Sequence, residues 1–168
     1  MVRDWWAAQD VDGCLMIAYR RSDVAALNAR ARELMRRDGA LGAEELQLPG
    51  GGFSVGDRIV VKRNDLRLGV SNGERGRIVF VDPAKDTLRG ELDGRTVRLD
   101  ASFLDDHTRS GEPTVLHGYA VTGHVAQGMT VDRAFVLAGE GICREWVYTA
   151  MSRGREANHL CIAISART

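Results

Sequence analysis

Continuous apolar runs separated by polar turns characterise both ends of the chain. Residues 14–19, CLMIAY, form such a run, which is typical of a strand buried on both faces of a parallel sheet. Over residues 24–37 apolar positions recur at helical spacing, and Ser22 or Asp23 is placed to cap that helix. After Pro113 the runs TVLHGYAV, AFVLA and HLCIAIS predict further buried strands, with a helix around ICREWVYTAMSR before the last one. We therefore expect an α/β domain.

The middle of the chain has a different pattern. Short alternating stretches between Phe53 and Leu104 are punctuated by turn signals, of which Asp93-Gly94 is a two-residue hairpin candidate. This pattern predicts a small antiparallel barrel inserted into the α/β domain. We assign residues 53–106 to the barrel, and residues 1–48 with 112–168 to the α/β domain.

Composition narrows the class of protein. Hydrophobic residues make up 44% of the 168 residues, which is enough for a real core. No apolar stretch approaches the roughly 18 residues of a membrane span, and the start MVRDWWAAQD lacks the apolar segment of a signal peptide. We expect a cytoplasmic protein with no membrane partner, whose cysteines Cys14, Cys143 and Cys161 are buried, reduced thiols.

The formal charge is zero but unevenly distributed. All of the 23 basic residues except Lys62 and Lys85 are arginine, which suits bidentate contact with phosphate and equally suits a GC-rich genome. Arginines predominate over residues 20–37, and acidic residues over residues 82–106. Neutrality therefore does not exclude nucleic acid as a partner.

Polar residues interrupt the apolar runs at residues 122–130, TGHVAQGMT. If the flanking runs are neighbouring parallel strands, this set follows the carboxyl end of the first one, where open α/β sheets bind ligands. Gly123 and Gly128 would let the backbone approach a ligand closely. The donors suited to phosphates or sugar hydroxyls are Thr122, His124, Gln127 and Thr130. A turn-rich loop with capping threonines is the structural alternative.

A second polar set, SRGR at residues 152–155, follows the last predicted helix. Arg153 and Arg155 would lie between that helix and the last buried strand. They would either contact a ligand or complement the helix dipole.

Together the two sets resemble two motifs of superfamily 1 helicases. Residues 122–130 are similar to motif V, and residues 147–155, VYTAMSRGR, to motif VI, in the same order and at the same spacing. The resemblance covers nearly the whole chain and is closest to the RecD-like branch, in particular the C-terminal motor domain of MobF-class conjugative relaxases. It implies an α/β fold with a RecA-like parallel sheet, interrupted by a small antiparallel Src-homology-3-like β-barrel.

The resemblance also implies roles for individual residues. Arg153 matches the arginine finger that contacts the γ-phosphate of ATP, and is thus the implied catalytic residue. The positions matching the loop near the nucleotide are Gln127, Gly128 and Thr130. The positions matching contacts to single-stranded DNA are Arg20, Arg21, Ser22, Thr122 and His124. Many members of the family have Lys after the motif V His, where this chain has Val125.

The phosphate-binding half of such a motor is missing from this sequence. ATP hydrolysis needs a G-x-x-x-x-G-K-[ST] loop and an acidic residue for Mg²⁺, but neither lysine follows a glycine. We therefore expect the C-terminal half of an ATP-dependent DNA helicase, inactive alone, with Met1 a truncation point or the start of a decayed gene. ATP and Mg²⁺ would be bound mainly by a missing N-terminal motor domain of the same polypeptide. The sequence leaves open whether a relaxase domain also lies upstream.

A basic rim on the barrel either contacts DNA or is an ordinary solvated surface; its residues are Lys62, Arg63, Arg67, Arg75 and Arg77. The alternative function is a non-catalytic nucleic-acid or protein binding module with a helicase-like scaffold, which the neutral charge would suit. The four histidines lack metal-type spacing, so we expect no metal site.

Overall fold

A computed structural model describes residues 1–8, 10 and 12–163 of the chain. In this part of the chain the helices are α1 (Val2–Ala7), α2 (Arg21–Arg37), α3 (Ala101–Leu104) and α4 (Arg144–Met151). The strands are β1 (Cys14–Ala18), β2 (Leu46–Leu48), β3 (Gly51–Phe53), β4 (Arg58–Val61), β5 (Arg75–Asp82), β6 (Thr87–Leu92), β7 (Arg95–Leu99), β8 (Val115–His117), β9 (Ala120–Thr122), β10 (Val131–Ala138) and β11 (Gly154–Ile162). They form two compact units: residues 1–33 with 119–168, named the parallel-sheet unit, and residues 34–118, named the antiparallel-sheet unit.

The parallel-sheet unit contains a sheet with the strand order β11-β10-β1-β9, in which every neighbouring pair is parallel. The five residues of β1 are all buried, as its continuous apolar run predicts. Leu15 and Ile17 of this strand share a core cluster with Ala126, which follows β9, and with Ala150 of α4. Trp5 of α1 is also buried. Helices α1 and α4 and the loop after β9 therefore contribute buried side chains to this unit.

A buried asparagine ties α2 to this sheet. Asn28 Nδ2 donates a hydrogen bond to the carbonyl O of Ala120 at 3.2 Å, and the backbone N of Ala120 donates to Asn28 Oδ1 at 2.8 Å. One side-chain amide thus satisfies both backbone groups that Ala120 directs away from β1. The contact fixes α2 against β9.

The antiparallel-sheet unit contains five strands in the order β7-β6-β5-β4-β8, all paired antiparallel, and the separate hairpin β2-β3. Asp93 and Gly94, with φ of 45° and 77°, make the predicted two-residue turn between β6 and β7. The fully buried residues of its core include Phe53, Ile59, Leu88, Leu92, Leu99 and Phe103. The described ladders do not join β7 to β8, so a closed Src-homology-3-like barrel stays a prediction.

The structure differs from the sequence analysis where the two patterns meet. The run TVLHGYAV is not one strand, because Val115–His117 pairs with β4 in the antiparallel sheet whereas Ala120–Thr122 pairs with β1. Residues 34–48 and 112–118 accordingly cluster with the antiparallel-sheet unit, although their sequence pattern suggested the α/β domain. Apolar composition predicts a strand but not the sheet that the strand joins.

Element boundaries also shift. α2 begins at Arg21, one residue ahead of the predicted cap Ser22. β11 begins at Gly154, ahead of the predicted run HLCIAIS, and consists of half-buried and exposed residues, so the prediction of a buried strand is wrong there. Ile164 and Ser165 of that run lie outside the described residues.

The cysteines have three different environments. Cys14, at the start of β1, is buried, and burial raises the pKa of its thiol. Cys161 in β11 is partly buried, whereas Cys143, just before α4, is exposed, so the expectation of a buried thiol is wrong for Cys143. No helix within the described residues is long and apolar enough to span a bilayer.

Candidate functional site

The carboxyl edge of the parallel sheet carries the residues matched to single-stranded DNA contacts. Thr122 ends β9 opposite Ala18, the last residue of β1. Residues 20–22 follow β1, and all of them are exposed. Arg20 Nη2 donates a hydrogen bond to the carbonyl O of Glu140, beyond the end of β10, at 3.3 Å. The sheet topology thus collects these residues at one edge.

This edge is suited to an anion. The 17-residue helix α2 begins at Arg21, so the positive end of its dipole lies at the carboxyl edge of the sheet. The exposed side chains of Arg20 and Arg21 add two cationic groups, whereas Asp23 is the acidic residue of the first helical turn. Phosphate groups are the kind of ligand that such an arrangement attracts.

Residues 123–130 form a loop that connects this carboxyl edge to the start of β10. Backbone hydrogen bonds shape it into successive turns, including Ala126 N to Thr122 O at 3.0 Å and Met129 N to Ala126 O at 3.0 Å. Its apolar residues pack against the core, and among them is Val125, at the position where many related helicases have Lys. Its exposed residues are His124, Gln127, Gly128 and Thr130. The polar side chains of the loop therefore face outward, and the capping-loop alternative applies to Thr122, whose Oγ1 accepts from Val125 N at 3.4 Å.

Glycine is required at the two glycine positions of the loop for different physical reasons. A Cβ at Gly123 would lie 2.2 Å from Nε1 of Trp146, so the indole ring occupies the space beside it. Trp146 in turn contacts Tyr19 edge-to-face, with ring centroids 5.5 Å apart. Gly128 has φ of 81° and open space around it, so its backbone conformation requires glycine. Packing under Trp146, rather than approach of a ligand, accounts for Gly123.

Arg153 lies at the opposite, amino edge of the sheet. It connects α4 to β11, and its carbonyl O accepts from Val131 N, at the start of β10, at 3.0 Å. Arg153 Nη1 lies 3.5 Å from the carbonyl O of Met129. The structure therefore joins the two polar sets at the amino edge, although sequence analysis placed the whole first set at the carboxyl edge. The five residues of β1 separate the two edges by about 13 Å at about 3.3 Å per residue.

Neutral oxygens hold the guanidinium of Arg153. Its Nε donates to the carbonyl O of Thr149 at 3.0 Å, and its Nη2 donates to Ser152 Oγ at 2.8 Å. The side chain is half-buried, and within the described residues no ion pair joins it to a carboxylate. A cation fixed in this way retains its full charge for an incoming anion.

The neighbouring Arg155 is neutralised. Its Nε donates to Asp132 Oδ1 at 3.1 Å, and the two side chains form an ion pair at the surface. Pairing with Asp132 gives Arg155 a structural role, whereas no carboxylate in the described structure neutralises Arg153.

Asn28 is a residue that the sequence analysis missed, although its place among Leu27 and Ala31 on the apolar face of α2 was a signal.

Most of the predicted basic rim of the antiparallel-sheet unit already has acidic partners. The ion pairs are Arg63–Asp106, Arg67–Asp100 and Arg77–Glu91. Hydrogen bonds from Arg67 and Ser102 hold the pKa of the Asp100 carboxyl well below its usual value. These arginines are therefore not free cations.

Arg75 does not lie on an exposed rim. Its Nη2 donates to the carbonyl O of Gly118 at 2.6 Å, and its Nε is buried without a hydrogen-bond partner. Burial, with a smaller contribution from the charge of Arg58, lowers the pKa of the Arg75 guanidinium to about 10. Of the rim residues, Lys62 is half-buried and has no ion pair within the described residues.

Sequence comparison identifies relatives among conjugal transfer proteins. No protein-family model matches the chain. It is 35% identical over 162 residues to the conjugal transfer protein TraA of Agrobacterium fabrum, a match that covers 93% of this chain and 14% of that protein. TraA of Rhizobium radiobacter matches with the same identity and coverage. The chain is homologous to a part of these TraA proteins and spans about a seventh of their length.

Structural comparison finds the same fold in solved structures of Pif1 helicases. Pif1 helicase from Bacteroides in complex with ADP-AlF3 and single-stranded DNA matches with a TM-score of 0.67 and 18% identity, over 98% of this chain and 46% of that one. Pif1 helicase from Candida albicans matches with a TM-score of 0.58 and 15% identity, over 98% and 50% of the two chains. The chain therefore shares the mixed α/β fold of Pif1 helicases, with a parallel sheet and a separate antiparallel sheet.

Proposed function

We propose that this homologue of part of TraA is the second motor domain of a superfamily 1 DNA helicase or translocase that acts within a conjugative relaxase. The observation that carries the proposal is the guanidinium of Arg153, which is held by neutral oxygens and has no acidic partner among the described residues. A structural arginine at a helix end would gain stability from a carboxylate, as Arg155 does from Asp132. An arginine finger needs a guanidinium that is held in place but not paired with a carboxylate, so that its charge is available to the phosphate.

In this proposal ATP and Mg²⁺ are bound mainly by a first motor domain elsewhere in the polypeptide. Arg153 contacts the γ-phosphate, and the exposed residues Gln127, Gly128 and Thr130 lie near the nucleotide. The bound nucleotide supplies the phosphoryl group that is transferred to water. Because the guanidinium is already oriented, it need not reorganise as charge develops on that group.

In the same proposal, single-stranded DNA binds at the carboxyl edge of the parallel sheet. Arg20, Arg21 and Ser22 contact phosphates, and Thr122 and His124 contact the strand from the neighbouring β9 and its loop. The 123–130 loop begins at these DNA-binding residues and ends beside Arg153, which Met129 and Val131 contact. One packed segment therefore links the two edges, which supports coupling between nucleotide state and DNA contact.

The salt dependence of DNA binding tests the proposed contact at the carboxyl edge. Arg20→Ala combined with Arg21→Ala should reduce the slope of log affinity for single-stranded DNA against log salt by roughly 1.4, because each lost phosphate contact removes about 0.7. Fluorescence anisotropy with a labelled oligonucleotide over a series of salt concentrations measures this slope.

The matched control removes the same charge elsewhere. Arg30→Ala combined with Arg109→Ala changes two exposed arginines, one further along α2 and one in the 107–113 loop. This control should leave the slope within error of the parent chain. A slope that is unchanged by the Arg20 and Arg21 substitutions would remove the carboxyl edge from the proposal.

A further inference from the structure

Three strands of the antiparallel-sheet unit present an aligned row of side chains on their exposed face. The registers place Phe80 of β5 opposite Arg89 of β6, and Arg89 opposite Arg98 of β7. All three residues are exposed, whereas their strand neighbours Val81, Leu88 and Leu99 are buried in the core. At about 4.8 Å between strands, the row spans about 10 Å. We name it the Phe80–Arg89–Arg98 row.

The aromatic member of the row is held open to solvent. A register shift between Ile78 and Phe80 interrupts the alternation of β5, so that both Val79 and Phe80 are exposed. Phe80 is 43% exposed, and the guanidinium carbon of Arg89 lies 4.9 Å from the centroid of its ring. An exposed ring with an arginine stacked on it is a surface on which a flat base can add a further layer.

The two arginines of the row are not neutralised within the described residues. No ion pair joins Arg89 or Arg98 to a carboxylate there, in contrast to the paired rim residues. By strand alternation the same side of β5 and β6 carries Asp82, which pairs with Lys85 at 3.4 Å, and Glu91, which lies 3.9 Å from Arg77. The row therefore combines an aromatic platform with two cations whose charge is available.

We propose that the Phe80–Arg89–Arg98 row is a second contact for single-stranded DNA, on the antiparallel-sheet unit. A base stacks as a further layer on the Phe80–Arg89 pair, and the edges of the Arg89 and Arg98 guanidinium groups donate to neighbouring phosphates. A single strand fits better than a duplex, because only an unpaired base can leave its stack to cover the ring. The inference rests on contacts within residues 77–98 alone and does not depend on the role of Arg153.

Two kinds of substitution in the full chain test the row separately from the carboxyl edge. Phe80→Ala should weaken binding of a labelled oligothymidine roughly 5- to 150-fold by loss of stacking, while Phe80→Tyr should retain it. Arg89→Ala combined with Arg98→Ala should reduce the salt slope by roughly 1.4. Arg30→Ala combined with Arg109→Ala is again the control, and circular-dichroism melting checks that each variant folds.

The outcomes separate this inference from the proposed function. Photocrosslinking of a bromodeoxyuridine oligonucleotide to the peptide that contains Phe80, lost in Phe80→Ala, would support the row. If the Phe80 and Arg89/Arg98 variants bind like the parent chain while the Arg20/Arg21 variant does not, the row is overturned and the carboxyl edge stands. Equal competition by duplex and single strand, with no effect of Phe80→Ala, would also overturn it.

Discussion

At the scale of single residues, the surroundings of an arginine decide what it can do. Arg153 and Arg155 are two positions apart, yet one is held by neutral oxygens and the other is paired with Asp132. Arg75 is partly buried against a carbonyl group, whereas Arg89 lies on an exposed ring. A count of arginines along the sequence treats all four alike. Their functional differences arise from contacts between distant segments.

Gly123 gives a prediction at the same scale. Gly123→Ala puts a methyl group 2.2 Å from Trp146 Nε1, so the indole must move. We expect a loss of about 1–3 kcal/mol in the free energy of unfolding, typical of overpacking, together with a changed tryptophan fluorescence spectrum. Urea unfolding followed by fluorescence measures both. Gly139→Ala, where the added methyl group meets nothing within 4 Å, is the control, and equal effects of the two variants would refute this explanation.

At the scale of elements, Asn28 replaces a missing strand neighbour of β9. Asn28→Ala leaves the buried N–H and C=O of Ala120 without partners, which costs about 1–3 kcal/mol for each group. The variant should therefore unfold at a clearly lower urea concentration with an unchanged m-value. Arg30→Ala, exposed on the same helix, should have little effect. Stability equal to that of the parent chain would show that α2 is held by other contacts.

The elements also show how far the sequence alone leads. The apolar run at residues 14–19 predicts β1 to within one residue, AFVLA predicts the last five residues of β10, and Asp93-Gly94 predicts the β6–β7 turn, because these signals are local. The run TVLHGYAV does not predict its own division between two sheets, since pairing partners lie far away in sequence. Likewise the contacts of Met129 and Val131 with Arg153 at the amino edge depend on the 123–130 loop, which crosses from one edge of the sheet to the other and has no local signal for that path.

At the scale of the whole molecule, a chain with zero net charge contains both arginines that are paired with carboxylates and arginines that are not. Several acidic residues of the antiparallel-sheet unit, among them Asp100, Asp106 and Glu91, pair with its arginines and compensate charge within that unit. Arg153, Arg89 and Arg98 remain without acidic partners in the described part of the chain. Net charge is therefore a poor guide to anion binding in this protein. The sequence motifs singled out Arg153, whose role stays a prediction, whereas no local pattern indicates the Phe80–Arg89–Arg98 row, which exists only through strand register.

If Arg153 acts as an arginine finger, its loss must abolish most ATP hydrolysis by the complete motor. The measurement uses a chimera in which this chain replaces the matched segment of TraA from Agrobacterium fabrum. Arg153→Ala should lower DNA-stimulated ATPase activity by roughly 10³- to 10⁵-fold, and Arg153→Lys should restore little because lysine lacks the planar fork. Arg155→Ala should retain the parent rate, since Arg155 only pairs with Asp132. ATP hydrolysis by Arg153→Ala at the parent rate would rule out the arginine-finger role and favour a non-catalytic binding module.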